Sequence, residues 1–148
     1  MQPILAILIG ISGSGKSTYA NGLKTSLNAT IVEPDAIRHE LTGDASDQSQ
    51  NAKVFSLAFK RANDLLAQGK NVVVDATSID KRSRENWIKI GTANNAEIRA
   101  YVVKTPIETA KKRNLARDRV VPGNVIDNQL RRFQMPSTGE GFDRIVVV

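Results

Sequence analysis

Gly10-Ile11-Ser12-Gly13-Ser14-Gly15-Lys16-Ser17 decides how the rest of this chain is read. The stretch satisfies the pattern G-x-x-x-x-G-K-[ST] at every fixed position. The apolar run Ile4–Ile9 before it reads as a buried strand, and Ser17–Leu27 after it reads as a helix. Strand, glycine-rich loop and helix in that order predict a phosphate-binding loop. N–H groups of Ser12, Gly13, Ser14, Gly15, Lys16, Ser17 and Thr18 are expected to converge on phosphate oxygens at a helix N-terminus, where unpaired donors and the helix dipole favour an anion. Lys16 is expected to reach the β- and γ-phosphates of ATP, and the Ser17 hydroxyl to hold Mg²⁺.

Outward from this loop, short apolar runs alternate with amphipathic stretches. The expected strands are Ile4–Ile9, Thr30–Glu33, Asn71–Asp75, Ile98–Val103 and Arg144–Val148. The expected helices are Ser17–Leu27, Ala36–Leu41, Asp47–Gln68 with Gly69 as its stop, Asp80–Asn94, Pro106–Ala116 and Gly123–Phe133. Such alternation with short connections implies an α/β fold, a parallel five-stranded sheet with helices on both faces. Ligands of such sheets bind beyond the carboxyl ends of the strands. That rule singles out the loop itself, Glu33-Pro34-Asp35, Asp75-Ala76-Thr77-Ser78 and Lys104-Thr105.

The length suits one domain, residues 1–148. Cysteine is absent, which excludes a disulfide framework and a thiolate metal site, and fits a reducing, cytoplasmic compartment. The apolar N-terminus is too short for a membrane span and lacks a basic flank, so no membrane association is expected. The formal charge is +6 and uneven. Acids and bases nearly balance up to Asp80. From Lys81 to Arg132 the bases are Lys81, Arg82, Arg84, Lys89, Arg99, Lys104, Lys111, Lys112, Arg113, Arg117, Arg119, Arg131 and Arg132, against Glu85, Glu97, Glu108, Asp118 and Asp127. A polyanionic partner would benefit from that field, and solvated helix faces with ATP-binding arginines would equally explain it.

Phosphoryl transfer to an alcohol needs a carboxylate to accept the hydroxyl proton while cations hold the phosphates. Asp35 stands just past the second strand, with Arg38 three residues on and facing the same side of a helical turn. Asp35 is expected as the base and Arg38 as the grip on an anionic acceptor. The bland assignments are an N-cap and a solvated charge. Asp75 at its strand end could hold Mg²⁺ through water, or cap the next loop. Thr77 could contact an acceptor phosphate or shape the turn. Arg113, Arg117 and Arg119 cluster where a helix breaks, roughly at 113–123, as a mobile lid over ATP would require.

With these residues in place, the chain resembles the kinase domain of polynucleotide 5′-kinases, of the type found in phage end-healing enzymes and in animal polynucleotide kinase-phosphatases. Glu33-Pro34-Asp35-Ala36-Ile37-Arg38 resembles the family segment that carries a general-base Asp and an Arg for the acceptor 3′-phosphate. Asp75-Ala76-Thr77-Ser78-Ile79 resembles the loop whose Thr touches the same phosphate, with Ala76 standing where the phage-type loop often has Asp. Lys112-Arg113-Asn114 with Arg117 resembles the lid, and Phe133-Gln134-Met135-Pro136 with Glu140-Gly141-Phe142-Asp143 resembles the C-terminal end of the animal domains. The resemblance implies an adenylate-kinase-like strand order and transfer of the γ-phosphate of ATP to 5′-hydroxyl ends of DNA or RNA. Lys16, Asp35 and Arg117 are then catalytic, Arg113 and Arg117 bind ATP, and Asp35, Arg38 and Thr77 bind the acceptor. No D-x-D-G-T phosphatase motif occurs. A P-loop kinase of a nucleoside or other small alcohol shares every ATP-side residue and stays open. The absence of N-K-x-D argues against a guanine-nucleotide switch.

Overall fold

Strand β1 (Ile4–Ile9) is buried on both faces, and that settles the layering. Side chains alternate across a strand. Leu5, Ile7 and Ile9 therefore enter one apolar cluster, and Ala6 and Leu8 enter another on the opposite side. The structure, a computed structural model, describes residues 2–117 and 120–148. After β1 come α1 (Lys16–Ser26), β2 (Ala29–Val32), α2 (Pro34–Thr42), α3 (Asn51–Ala67), β3 (Asn71–Val74), α4 (Lys81–Ala93), β4 (Glu97–Val102), α5 (Ile107–Leu115), α6 (Gly123–Arg132), a 3₁₀ turn at Thr138–Glu140 and β5 (Arg144–Val147).

The strands form one parallel sheet in the order β2-β3-β1-β4-β5. Val54, Ala58, Ala62 and Leu66 of α3, with Trp87 and Ile88 of α4, cover the first face. Phe59 meets Trp87 edge to face at 4.6 Å. Ala20 and Leu23 of α1 cover the second face with Tyr101. In register, Ile7 lies beside Val74, and Val74 beside Val32. The carboxyl ends of β2 and β3 are thus level, β1 runs two residues further, and whatever follows the three strands shares one end of the sheet.

The sequence boundaries shift in two informative places. The second helix starts at Pro34 rather than Ala36, because proline fits the first helical position, where its missing N–H would be unpaired anyway. Asp35 therefore sits inside the first turn rather than ahead of it. The long helix starts at Asn51 rather than Asp47, because Asp44 and Asp47 turn their carboxylates back on the N–H groups of Ser46 and Ser49. The expected Gly69 stop is present with φ of 77°, and Asp80 caps α4 by accepting from the Ser83 N–H.

Arg84 on α4 is fully buried. It donates to both Glu140 oxygens, at 2.9 and 3.2 Å, and to the Ser78 carbonyl at 2.9 Å. That network ties the C-terminal segment to the loop after β3. Arg84→Ala strands Glu140 without its partner in a nearly buried position, so a loss of about 3–5 kcal/mol is expected in urea unfolding followed by Trp87 fluorescence. Glu140→Gln, which keeps one acceptor oxygen, is expected to lose less.

Candidate active site

The loop after β1 takes its shape from what presses against it. A Cβ on Gly13 would stand 2.1 Å from the Ala110 carbonyl of α5, and Gly13 has φ of 81°, so both contact and conformation exclude other residues there. Gly15, with φ of 98°, is the N-cap of α1 and supplies no side-chain cap. The first N–H groups of α1 therefore face an open cleft of 260 Å³ lined by Gly13, Gly15, Lys16, Ser17, Thr18, Arg113 and Arg117. Ser12 and Ser14 turn elsewhere. Ser12 faces α6, and the Ser14 carbonyl accepts from Thr105 Oγ1 at 2.8 Å and from Arg113 at 3.4 Å.

Lys16 is half-buried and its Nζ donates to the Ile11 carbonyl at 3.1 Å. Burial pulls its pKa from the ordinary 10.5 down to about 8. Asp75 opposes that fall most strongly, Arg117 adds to it, and Asp35 and Glu33 oppose it. The four charges that act on Lys16 thus come from three separate segments: the end of β3, the start of α2 and the segment after α5. The Ser17 hydroxyl donates to Asp75 Oδ2 at 2.9 Å, and Asp75 is itself buried. This joins the loop to the end of β3.

A second cleft, of 500 Å³, adjoins the first. Glu33, Asp35, Ala36, His39, Ala45, Ala116 and Arg117 line it. Arg117 lines both clefts and is exposed. Arg38 lies under this site with 5 % exposure. Its Nη1 pairs with Asp35 Oδ1, its Nη2 donates to Asn51 Oδ1 at 2.6 Å, and its Nε is buried without a partner. Thr77 is half-buried and gives its carbonyl to the Gly10 N–H at 3.0 Å; it does not line either cleft. A larger cleft of 740 Å³ runs from Gly15 and Thr18 past Arg113 to Val103, Lys104 and Val148. Of the expected lid, Arg113 and Arg117 are placed, and Asp118 and Arg119 lie outside the described residues.

Sequence reasoning missed Asn51 and Gln129. Neither belongs to a recognisable motif, and each reaches its partner across the fold rather than along the chain. Among the described residues no group of three or more His, Cys, Asp or Glu side chains comes together to hold a metal, and no helix is long and apolar enough to cross a membrane.

This arrangement of loop, level carboxylates and strand order defines a P-loop kinase fold and site. The chain belongs to the family described as an AAA domain, whose model matches residues 5–136. It is 30 % identical over 145 residues to a protein of Autographa californica nuclear polyhedrosis virus whose name pairs a polynucleotide kinase with an RNA ligase; the match takes in 87 % of this chain and 20 % of that one. A solved Pnkp1/Rnl/Hen1 RNA repair complex contains a chain 29 % identical with a TM-score of 0.80, over 96 % of this chain and 47 % of that one. A gluconokinase from Sinorhizobium meliloti shares the fold at a TM-score of 0.64 and 20 % identity, over 99 % of this chain and 82 % of that one. The chain spans about a fifth of the viral protein and about half of the repair-complex chain.

Two outcomes follow from the geometry. Gly13→Ala drives a methyl into the Ala110 carbonyl, so nucleotide binding measured by titration calorimetry is expected to be lost. With its pKa lowered to about 8 by burial, Lys16 loses its charge as the pH rises through that value in the nucleotide-free protein, and a bound polyphosphate is expected to restore it. Binding at pH 9 is therefore expected to take up a proton, seen as a dependence of the heat on buffer ionisation enthalpy. Affinity is expected to fall by up to roughly tenfold per pH unit through that range, and Lys16→Arg to abolish the uptake.

Proposed function

We propose that this chain is an ATP-dependent polynucleotide 5′-hydroxyl kinase, with 5′-hydroxyl ends of DNA or RNA as acceptors. One observation carries the reading. Arg117 borders both the cleft of Lys16 and Ser17 and the cleft of Asp35, so a phosphoryl group and an acceptor hydroxyl brought to the two clefts meet beside it. The named polynucleotide kinases among the similar proteins, at 26–30 % identity, support a nucleic-acid acceptor. So does the net charge of +6. ATP as donor suits work in the cytoplasm.

In this reading the α1 N-terminus and Lys16 bind the ATP phosphates, with the base and ribose directed along the larger cleft toward Val103 and Lys104. The donor set at Ser17 and Asp75 fits Mg²⁺, a cation that keeps waters and phosphate oxygens and takes few protein ligands. Ser17 would hold it directly through a lone pair and Asp75 through water; when bound it supplies charge neutralisation at the β- and γ-phosphates. Asp35 accepts the proton of the acceptor hydroxyl as its oxygen bonds to the γ-phosphorus and the bond to the β–γ bridging oxygen breaks, releasing ADP. Arg117 faces the charge spread over the transferred group. Arg38 serves the phosphate 3′ of the acceptor nucleoside, and Thr77, which lines neither cleft, joins it only if the loop after β3 moves. That phosphate reaches Arg38 by replacing Asp35 or Asn51 as its partner, since the unpaired Nε is buried.

A kinase of a nucleoside or other small alcohol is the second reading. The buried, paired state of Arg38 favours it, because a neutral acceptor needs no exposed guanidinium. The deciding experiment follows labelled γ-phosphate from ATP to 5′-hydroxyl oligonucleotides, 3′-nucleotides, nucleosides and sugars. Oligonucleotide labelling is expected to weaken steeply with salt. Asp35→Ala is expected to retain ATP binding and to lose transfer by at least roughly a hundredfold. Labelling confined to nucleosides or sugars would move the acceptor to a small alcohol, and wild-type transfer by Asp35→Ala would remove the base assignment.

A further inference from the structure

Ser12 gives both of its polar groups to one side chain. Its N–H donates to Oε1 of Gln129 at 2.8 Å, and its hydroxyl accepts from Nε2 at 3.0 Å. Ser12 is 7 % exposed, so water does not readily replace these bonds. An amide that donates and accepts at one residue holds it in a single orientation. Gln129 stands on α6, which follows the Arg113–Arg117 segment in the chain.

The root of that helix is also pinned. Asn114 of α5 donates to the Val121 carbonyl at 2.6 Å and accepts from the Val121 N–H at 2.9 Å, both bonds buried. Ile11, Ala110, Val121 and Ile126 form a small apolar cluster apart from the two faces of the sheet. The phosphate-binding loop is thus held by Ala110 of α5, by Thr105 just ahead of that helix, and by Gln129 of α6.

We propose that Gln129 is a positioning residue of the nucleotide site. It fixes the crest of the loop at Ser12 and ties α6, and through Asn114 and Val121 the Arg117-bearing segment, to the loop that takes the phosphates. The inference rests on the reading of that loop as the ATP site. Ser12 then serves the loop's shape, since its N–H is committed to Gln129, and the phosphates are left to the N–H groups from Gly13 onward. Without the amide, Ser12 keeps two buried polar groups that find partners only if the loop shifts, and a shifted crest carries Gly13 and Ser14 away from the geometry in which α1 presents its donors.

The test uses Gln129→Met, which keeps length and removes both bonds, and Ser12→Ala, which removes one. Backbone hydrogen exchange of the loop peptide is measured in the nucleotide-free protein, with the KM values for MgATP and for a 5′-hydroxyl oligonucleotide beside it. Faster exchange of the loop and a KM for ATP raised roughly tenfold are expected for Gln129→Met, with the oligonucleotide KM unchanged and a smaller change for Ser12→Ala. The double variant is expected to match Gln129→Met rather than the product of the two effects. A lower melting temperature with unchanged ATP KM and unchanged loop exchange would make Gln129 mere glue for α6 and overturn the proposal. If Gln129→Met does not fold, Ser12→Ala with unaltered exchange and unaltered ATP KM overturns it equally. Failure of the wild-type protein to bind MgATP is a separate result, visible before any variant is made, and it removes the ATP-site reading together with this inference.

Discussion

The register of β1, β2 and β3 is the constraint on which this molecule depends. Pairing Ile7 with Val74 and Val74 with Val32 puts Gly10, Asp75 and Glu33 at one end of the sheet. A slip of one residue in β3 would reverse its faces, sending Val73 to the α3 side and Val72 and Val74 to the α1 side. It would also break the 2.9 Å bond between Ser17 and Asp75. Core packing and site geometry are therefore fixed by the same hydrogen-bond ladder.

Charge at that end is in tension. Burial works against the ammonium of Lys16, and Asp75 provides the largest single opposition. Arg117 nearby makes the ammonium less favourable still. Two cations acting on one another, with Asp75 bonded to Ser17 and Asp35 to Arg38, are a cost in the empty protein and a gain once a polyanion arrives. The pairing of Arg38 with Asp35 has the same character. It pairs a buried guanidinium, whose Nε still lacks a partner, with a carboxylate, and an anionic acceptor would have to compete for it.

Much of this was legible along the chain. Gly10–Ser17 announces its own loop because its spacing encodes local backbone geometry. The alternation of β-branched runs with amphipathic stretches gives the layers because each strand is buried on both faces. Gly69 and Asp80 mark helix ends through chemistry confined to a few neighbouring residues. Asp35, Arg38 and Asp75 could be singled out because a rule about strand ends points to them. The start of α3 was misplaced because Asp44 and Asp47 bind their own backbone, a local competition that hydrophobic periodicity does not register.

The sequence by itself determined the class of fold, the phosphate-binding loop and the candidate carboxylates, since all three rest on local spacing and strand order. Tertiary structure alone decided that Arg38 is buried and held by Asn51, that Arg117 stands between two clefts, and that Gln129 holds Ser12 from 117 residues away. Those facts depend on which helices meet at that end of the sheet. Contacts between distant segments arise from packing of whole elements, and no pattern of neighbours along the chain carries them.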